Sequence, residues 1–202
     1  DIRANDRAGL ISMHTLFVRE HNRLAALAAS AWPGKFNDEI YHLARKIVAA
    51  EIQRITYHEF LPALLGGFPA YSSHDSSVDG GIFTEFSTAA YRFGHSLLPS
   101  VLALADGTDV LGGILLQDTF FDPKPVFDPD HEGDPALVNQ LLHGFVVTPS
   151  QPMDEQLNNS VRNFLFGDPG EGGTDLAALN IQRGRDHGIA GCNAVRQAFG
   201  LG

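Results

Sequence analysis

Apolar residues recur at steps of three, four and seven in two long segments, and this spacing constrains the fold more than any other feature of the sequence. The first segment covers residues 12–31 and the second covers residues 38–60. A stripe of this period lies on one face of an α-helix, so both segments are predicted to be helices. Ser12 and Asn37 are the predicted N-caps, and Pro33-Gly34 is predicted to end the first helix.

The rest of the chain is predicted to contain further helices separated by long loops. Residues 83–98 carry a phenylalanine-rich face and should end before Pro99, because proline disfavours helical geometry in the residue before it. The shorter predicted helices cover residues 134–145, 152–166, 175–183 and 189–199. The predicted loops are 66–81 and 104–133, where Gly, Ser, Asp and Pro concentrate. No stretch alternates convincingly as a strand, so the predicted fold class is mainly α with little or no β.

Composition excludes several classes of protein. The 202 residues suffice for one domain with a core. The net charge of −10 is opposite in sign to the charge that binds phosphate backbones, so nucleic acid is not an expected partner. No apolar run approaches the roughly 20 residues that span a bilayer. The single cysteine, Cys192, excludes an intrachain disulfide and any site built from several cysteines.

One of the nine histidines has a distinctive setting. His95 lies on the predicted helix 83–98, and Arg92, three residues earlier, shares its face. A neutral imidazole is a good axial ligand for iron. An arginine beside it can pair with a carboxylate such as a haem propionate. On spacing alone, an ordinary core or surface histidine remains the alternative.

The segment Tyr91–Leu98, with the sequence YRFGHSLL, closely resembles the proximal-histidine segment of animal-type haem peroxidases, the myeloperoxidase and peroxidasin superfamily. Four further blocks resemble family segments in the same order: Asp1-Ile2-Arg3, residues 12–25, residues 44–62 and residues 175–188. The last of these is the most specific. The resemblance implies the helical peroxidase fold. It also implies that residues 1–202 are the central part of one catalytic domain, incomplete at both ends.

The resemblance implies a role for each matched residue. His95 corresponds to the proximal axial ligand of the haem iron. Asn180 corresponds to the asparagine that accepts a hydrogen bond from the other ring nitrogen of that ligand. Arg92 and Arg183 correspond to residues that hold the haem propionates. Arg3 corresponds to the distal arginine, a catalytic residue whose charge stabilises the separating charge as the peroxide O–O bond breaks.

Two neighbouring positions leave the covalent state of the haem open between b-type and ester-linked. Asp6 stands where vertebrate members carry a glutamate ester-linked to a haem methyl, and its side chain is one methylene shorter. Arg7 replaces the methionine that forms a sulfonium link in myeloperoxidase, so that link is not expected. Calcium is expected for the full family domain. In the family, however, the calcium loop, the distal histidine and the aspartate beside it lie upstream of the segment that contains Arg3.

The resemblance implies a peroxidase that uses hydrogen peroxide to oxidise halides or small organic donors through an oxoferryl intermediate. A non-catalytic haem-binding domain is the alternative, because the distal base is expected outside this sequence, and a second chain could supply it. A fatty-acid dioxygenase of the same superfamily is disfavoured. Cyclooxygenase-like members place a radical-forming tyrosine three residues before the proximal histidine, where this sequence has Arg92, and Tyr91 is four before. The family also implies an extracellular location.

Two other features have simple interpretations. Asn158-Asn159-Ser160 matches the acceptor sequence for N-glycosylation, and a single match of this kind is weak support for a glycan. Cys192 is predicted to be a small buried residue.

Overall fold

The computed structural model describes residues 2–122, 126 and 135–201. The α-helices are α1 (Ala8–Ala31), α2 (Asn37–Ile55), α3 (Leu61–Leu65), α4 (Thr84–Thr88), α5 (Pro135–Val147), α6 (Asn159–Arg162), α7 (Leu176–Asp186) and α8 (Cys192–Ala198). Short 3-10 helices cover Ile2–Asn5, Ala90–His95 and Leu116–Thr119, and a π-helical turn covers Thr56–Phe60. Strands β1 (Val101–Asp106) and β2 (Asp109–Leu115) form one antiparallel sheet. The predicted mainly α class is confirmed.

The chain divides into two compact units. One consists of Asp1–Ser12 with Gly80–Gly202, and the other consists of Met13–Asp79. Every helix in the described part of the chain is too short or too polar to cross a membrane.

The unit Met13–Asp79 contains most of α1 and all of α2, as the helical spacing predicted. Near the middle of α1, Nε2 of His21 lies 3.2 Å from the carbonyl oxygen of Tyr41 in α2, and the two rings are 4.9 Å apart. The predicted second helix, 38–60, is regular only to Ile55. It continues as the π-helical turn and α3, which ends at Gly66 in the left-handed conformation. The predicted loop 66–81 is confirmed.

The core of the other unit forms where α5 packs against β1 of the hairpin β1–β2. Its buried residues are Ala8, Ile11, Leu102, Leu116, Val126, Val138, Leu141 and Val161. The approach of α5 to β1 depends on Gly144. A Cβ at Gly144 would lie 1.9 Å from the carbonyl oxygen of Ala103, far inside van der Waals contact.

The hairpin corrects the prediction that residues 104–133 form a loop. Asp106 pairs with Asp109 across a two-residue turn, where Gly107 has a φ of 57°. Glycine at such a position is a recognised hairpin signal. Regular alternation is missing because the register shifts between Leu104 and Ala105 and because β2 is largely exposed. Residues 123–125 and 127–133 of the predicted loop lie outside the described residues.

The segment predicted as one helix over 83–98 is two short pieces. Helix α4 ends at Thr88, because Ala89 has non-helical dihedral angles of φ −126° and ψ −64°. The 3-10 helix Ala90–His95 follows. Residues three apart eclipse each other in a 3-10 helix, so Arg92 and His95 still share a side.

Both predicted N-caps in the first part of the chain are wrong. Helix α1 begins at Ala8, and Ser12 is a buried residue inside it whose hydroxyl donates to the carbonyl of Ala8. Helix α2 is preceded by Phe36, whose N–H donates to the carboxylate of Glu39. Asn37 is the first residue of the helix, so Phe36 and not Asn37 occupies the N-cap position.

The predicted helix 152–166 is reduced to α6, Asn159–Arg162. Before it, the side chains of Asp154 and Asn158 accept hydrogen bonds from the backbone N–H groups two residues ahead. Such local bonds compete with helix formation. The predicted helices 175–183 and 189–199 correspond to α7 and α8. The predicted helix 134–145 corresponds to α5, and residue 134 itself lies outside the described residues.

Candidate functional site

His95 and Asn180 are 85 residues apart in sequence and in direct contact in the structure. Nδ2 of Asn180 lies 2.8 Å from Nδ1 of His95. His95 ends the 3-10 helix Ala90–His95, and Asn180 lies in the second turn of α7. The start of α7 is fixed by Asp175, whose carboxylate accepts hydrogen bonds from the N–H groups of Ala177 and Ala178.

The donor and the acceptor in this hydrogen bond depend on the tautomer of His95, so the expectation that Asn180 accepts stays a prediction. With Nδ2 toward the ring, Asn180 donates to Nδ1 and the ring proton lies on Nε2. A half-turn of the amide puts Oδ1 at the same position, where it accepts from Nδ1–H and leaves a lone pair on Nε2. Both arrangements keep the hydrogen bond between the two side chains, and among the described residues Nε2 of His95 has no hydrogen-bond partner.

The surroundings of His95 favour its neutral form. Partial burial lowers the pKa of His95 below its ordinary value, and the positive charges of Arg92 and Arg7 lower it further. Desolvation and like charges both disfavour the imidazolium ion. The neutral ring is the form that binds a metal ion.

The segment that follows His95 is held by residues distant in sequence. The N–H of Gln151 donates to the carbonyl of Leu97 at 3.1 Å. The buried hydroxyl of Ser96 accepts from the N–H of Asp154 at 3.3 Å. These contacts were not predicted, because nothing in the sequence pattern of residues 151–158 links them to residues 96–98.

The other site residues predicted from the sequence are not among the partners of His95, apart from Arg92. Nε of Arg92 donates to the carbonyl of Ser87 at 3.3 Å, and its guanidinium lies 4.8 Å from the centre of the Tyr91 ring. Arg3 is exposed on the 3-10 helix Ile2–Asn5, and Arg183 is exposed on α7.

Asp6 forms an ion pair with the residue next to it. Its carboxylate lies 2.5 Å from the guanidinium of Arg7, and both side chains are partly exposed. Its carbonyl also accepts a hydrogen bond from the N–H of Phe121. Arg7 therefore has two functions that the sequence analysis did not assign to it. It neutralises Asp6 and lowers the pKa of His95.

The structure also bears on two further predictions, the burial of Cys192 and a glycan at Asn158. Cys192 is exposed at the start of α8, so the prediction that it is buried is wrong. Asn158 is half-buried, and both ends of its amide are already hydrogen-bonded within the protein, which disfavours a glycan at this position.

The fold is mainly helical, and comparison with known proteins identifies the family to which it belongs. The family model described as animal haem peroxidase matches residues 1–202. Peroxinectin A of Dictyostelium discoideum is 38% identical over 200 residues, which cover 98% of this chain and 36% of that protein. A peroxidasin homolog of Mus musculus is 44% identical over 199 residues, covering 94% of this chain and 13% of that protein.

A solved structure agrees with the sequence comparisons. Peroxidase A from Dictyostelium discoideum superposes with a TM-score of 0.90 at 37% identity, covering 98% of this chain and 38% of that one. The chain belongs to the animal haem peroxidase family. It spans little more than a third of these two Dictyostelium relatives and a smaller share of the peroxidasin homolog.

Proposed function

We propose that the protein containing this sequence is a haem-dependent peroxidase, with His95 as the axial ligand of the haem iron. One observation carries the proposal. His95 is a half-buried imidazole whose Nδ1 is held by Asn180, whose Nε2 has no partner among the described residues, and whose pKa is lowered. These are the properties of a metal-binding histidine with a fixed ring orientation.

Each further residue has a proposed task. With its carbonyl turned toward Nδ1–H, Asn180 would fix the ring and increase the electron donation of His95. Arg92 and Arg183 would pair with the carboxylates of the haem. Arg3 would supply positive charge where negative charge develops on peroxide oxygen. Bound haem would supply a redox-active iron that takes oxidising equivalents from hydrogen peroxide.

We also propose that Asp6 contacts the haem, as a free carboxylate and not as an ester. A carboxylate that forms an ester must give up its charge and its ion partner. Because Asp6 is paired with Arg7, we favour b-type haem over the ester-linked form.

The finer proposals come from family membership. They are oxidation of halides or small organic donors, calcium in the complete domain, and an extracellular location. Two further statements stay predictions. The first is that residues 1–202 belong to a single catalytic domain, and the second is that a second chain supplies the distal half.

The test is haem titration of the purified chain, followed by addition of hydrogen peroxide and a phenolic donor. We expect a Soret band that is lost in His95→Ala and retained in His74→Ala, which changes an exposed loop histidine. We also expect Arg3→Ala to keep the Soret band and to slow donor oxidation by about 100-fold or more, the usual effect of removing one transition-state charge partner.

The outcomes separate the competing functions. A Soret band unaffected by His95→Ala would refute the ligand assignment. A band that depends on His95 but is inert toward peroxide and donor would identify residues 1–202 as a haem-binding segment without catalysis of its own. Equal donor oxidation with and without Arg3 would remove Arg3 from the mechanism.

A further inference from the structure

Residues 151–158, here named the strap, make three hydrogen bonds to the three residues that follow His95. Two use backbone N–H groups of the strap, from Gln151 to the carbonyl of Leu97 and from Asp154 to the hydroxyl of Ser96. The third uses a side chain. Nδ2 of Asn158 donates to the carbonyl of Leu98 at 2.7 Å, across 60 residues of sequence. This is the shortest of the three bonds.

The amide of Asn158 is used at both ends. Its Nδ2 donates to Leu98, and its Oδ1 accepts from the N–H of Ser160 at 2.8 Å, which caps α6. Ser160 is buried, so the cap is fixed in the interior. One half-buried side chain therefore connects the end of the His95 segment to the first turn of α6.

Helix α6 is in turn connected to the helix that carries Asn180. It packs against α7, and Val161 of α6 and Leu176 of α7 both pack in the same core cluster. In the segment between the two helices, the N–H of Thr174 donates a hydrogen bond to the carbonyl of Leu165. A closed path therefore runs from His95 through Leu98, Asn158, α6 and α7 to Asn180, which returns to His95.

The local backbone cannot hold the end of the His95 segment by itself. In a continued helix the carbonyl of Leu98 would accept from the N–H of Val101 or Leu102, but Pro99 disfavours helical geometry at Leu98 and both of those residues lie in β1. The carbonyl of Leu98 takes its partner from another part of the chain, and Asn158 supplies it.

We infer that Asn158 is a positioning residue for His95, which holds the segment after the histidine so that the ring meets Asn180 in one orientation. The effect on haem rests on the proposed function, whereas the effect on the His95 ring does not. Asn158 acts through the backbone of Leu98 and is not assigned any contact with substrate or cofactor.

The decisive variant is Asn158→Asp. Aspartate is isosteric and keeps an acceptor for the N–H of Ser160, so α6 stays capped. A carboxylate cannot donate, so the bond to Leu98 is lost. Asn159→Ala is the matched control, because Asn159 is exposed, pairs only with Asn163 among the side chains described, and leaves the acceptor sequence at 158–160 intact.

The first readout needs no haem. In ¹⁵N-labelled chain, the Nδ1 shift of the His95 ring and the exchange rates of the Gln151 and Asp154 amides are measured at pH 7.5. We expect Asn158→Asp to change the ring shift and to speed amide exchange about fivefold, as loss of one net hydrogen bond implies. The second readout is the iron–histidine stretching band of the ferrous haem complex, which should shift or broaden. Asn159→Ala should change neither.

The outcomes are distinct for the two proposals. If Asn158→Asp leaves the ring shift unchanged, Asn158 is only an N-cap of α6 and the inference is overturned. If the ring shift changes while the iron–histidine band does not, the inference is overturned for the haem complex. If the wild-type chain forms no haem complex through His95, the proposed function fails, and the ring shift alone then decides whether Asn158 positions His95.

Discussion

Acidification should destabilise the folded chain through His95, in a pH range set by the direction of its pKa shift. The pKa of His95 is lowered in the folded state, first by burial and then by the charges of Arg92 and Arg7. In the unfolded chain the ring has its ordinary value of about 6.5. Below that pH the unfolded state binds a proton that the folded state does not bind. The contribution of neutral His95 to the free energy of unfolding is therefore fully present above pH 6.5. It is lost as the pH falls toward the pKa that His95 has in the folded chain.

The size of this effect is bounded by the number of protons. One group changes the free energy of unfolding by at most about 1.4 kcal/mol per pH unit. His95 is only partly buried, so solvent screening keeps the slope below this limit. The variant Arg92→Gln removes one cause of the shift. It should raise the pKa of His95 and reduce the slope, whereas His95→Leu should remove the contribution entirely.

Urea unfolding of the haem-free chain between pH 5 and pH 8 measures these slopes. The free energy of unfolding of wild type minus that of His95→Leu should decrease on acidification, beginning near pH 6.5. Taking the difference between the two proteins cancels the contribution of the carboxylates, because the same carboxylates titrate in both. A difference that is flat over this range, or that increases on acidification, would refute the argument that His95 is held neutral.

The remaining predictions concern packing and the partner of the histidine. Gly144→Ala should destabilise the chain by about 1–3 kcal/mol, because the added Cβ meets the carbonyl of Ala103, and a lowered melting temperature would show it. Gly184→Ala in α7, where a Cβ meets nothing within 4 Å, should instead stabilise it by about 0.5–1 kcal/mol in the same assay. Asn180→Leu should weaken haem affinity by about 10- to 100-fold in a Soret titration, and unchanged affinity would contradict the partner role.

The parts of the fold that the sequence predicted are those decided by local pattern. Helices α1 and α2 follow from apolar spacing, and Asp175 is of the residue type that caps a helix such as α7. Where tertiary contacts compete with local pattern, the prediction was wrong. The 83–98 segment breaks at Ala89, and the hairpin was missed because a register shift disrupts its alternation.

The candidate site was predictable only through resemblance. Spacing alone linked His95 to Arg92, and the structure keeps them on one side of a 3-10 helix. The contact with Asn180 could be named because both segments resemble family blocks, since no physical rule joins residues 85 positions apart. Arg7 and Asn158 were not assigned to the site, because their effects depend on burial and on backbone contacts that no local pattern encodes.

The wide sequence separation of the two contacts around His95 has a consequence for the order of folding. Closing chain segments of 85 and 60 residues costs conformational entropy before either hydrogen bond can form. Contacts of this kind slow folding, whereas the hairpin β1–β2 and the helices need only short loops. The histidine should therefore acquire its partner after the hairpin and the helices have formed, and the environment of its ring is then a reporter of a late step of folding.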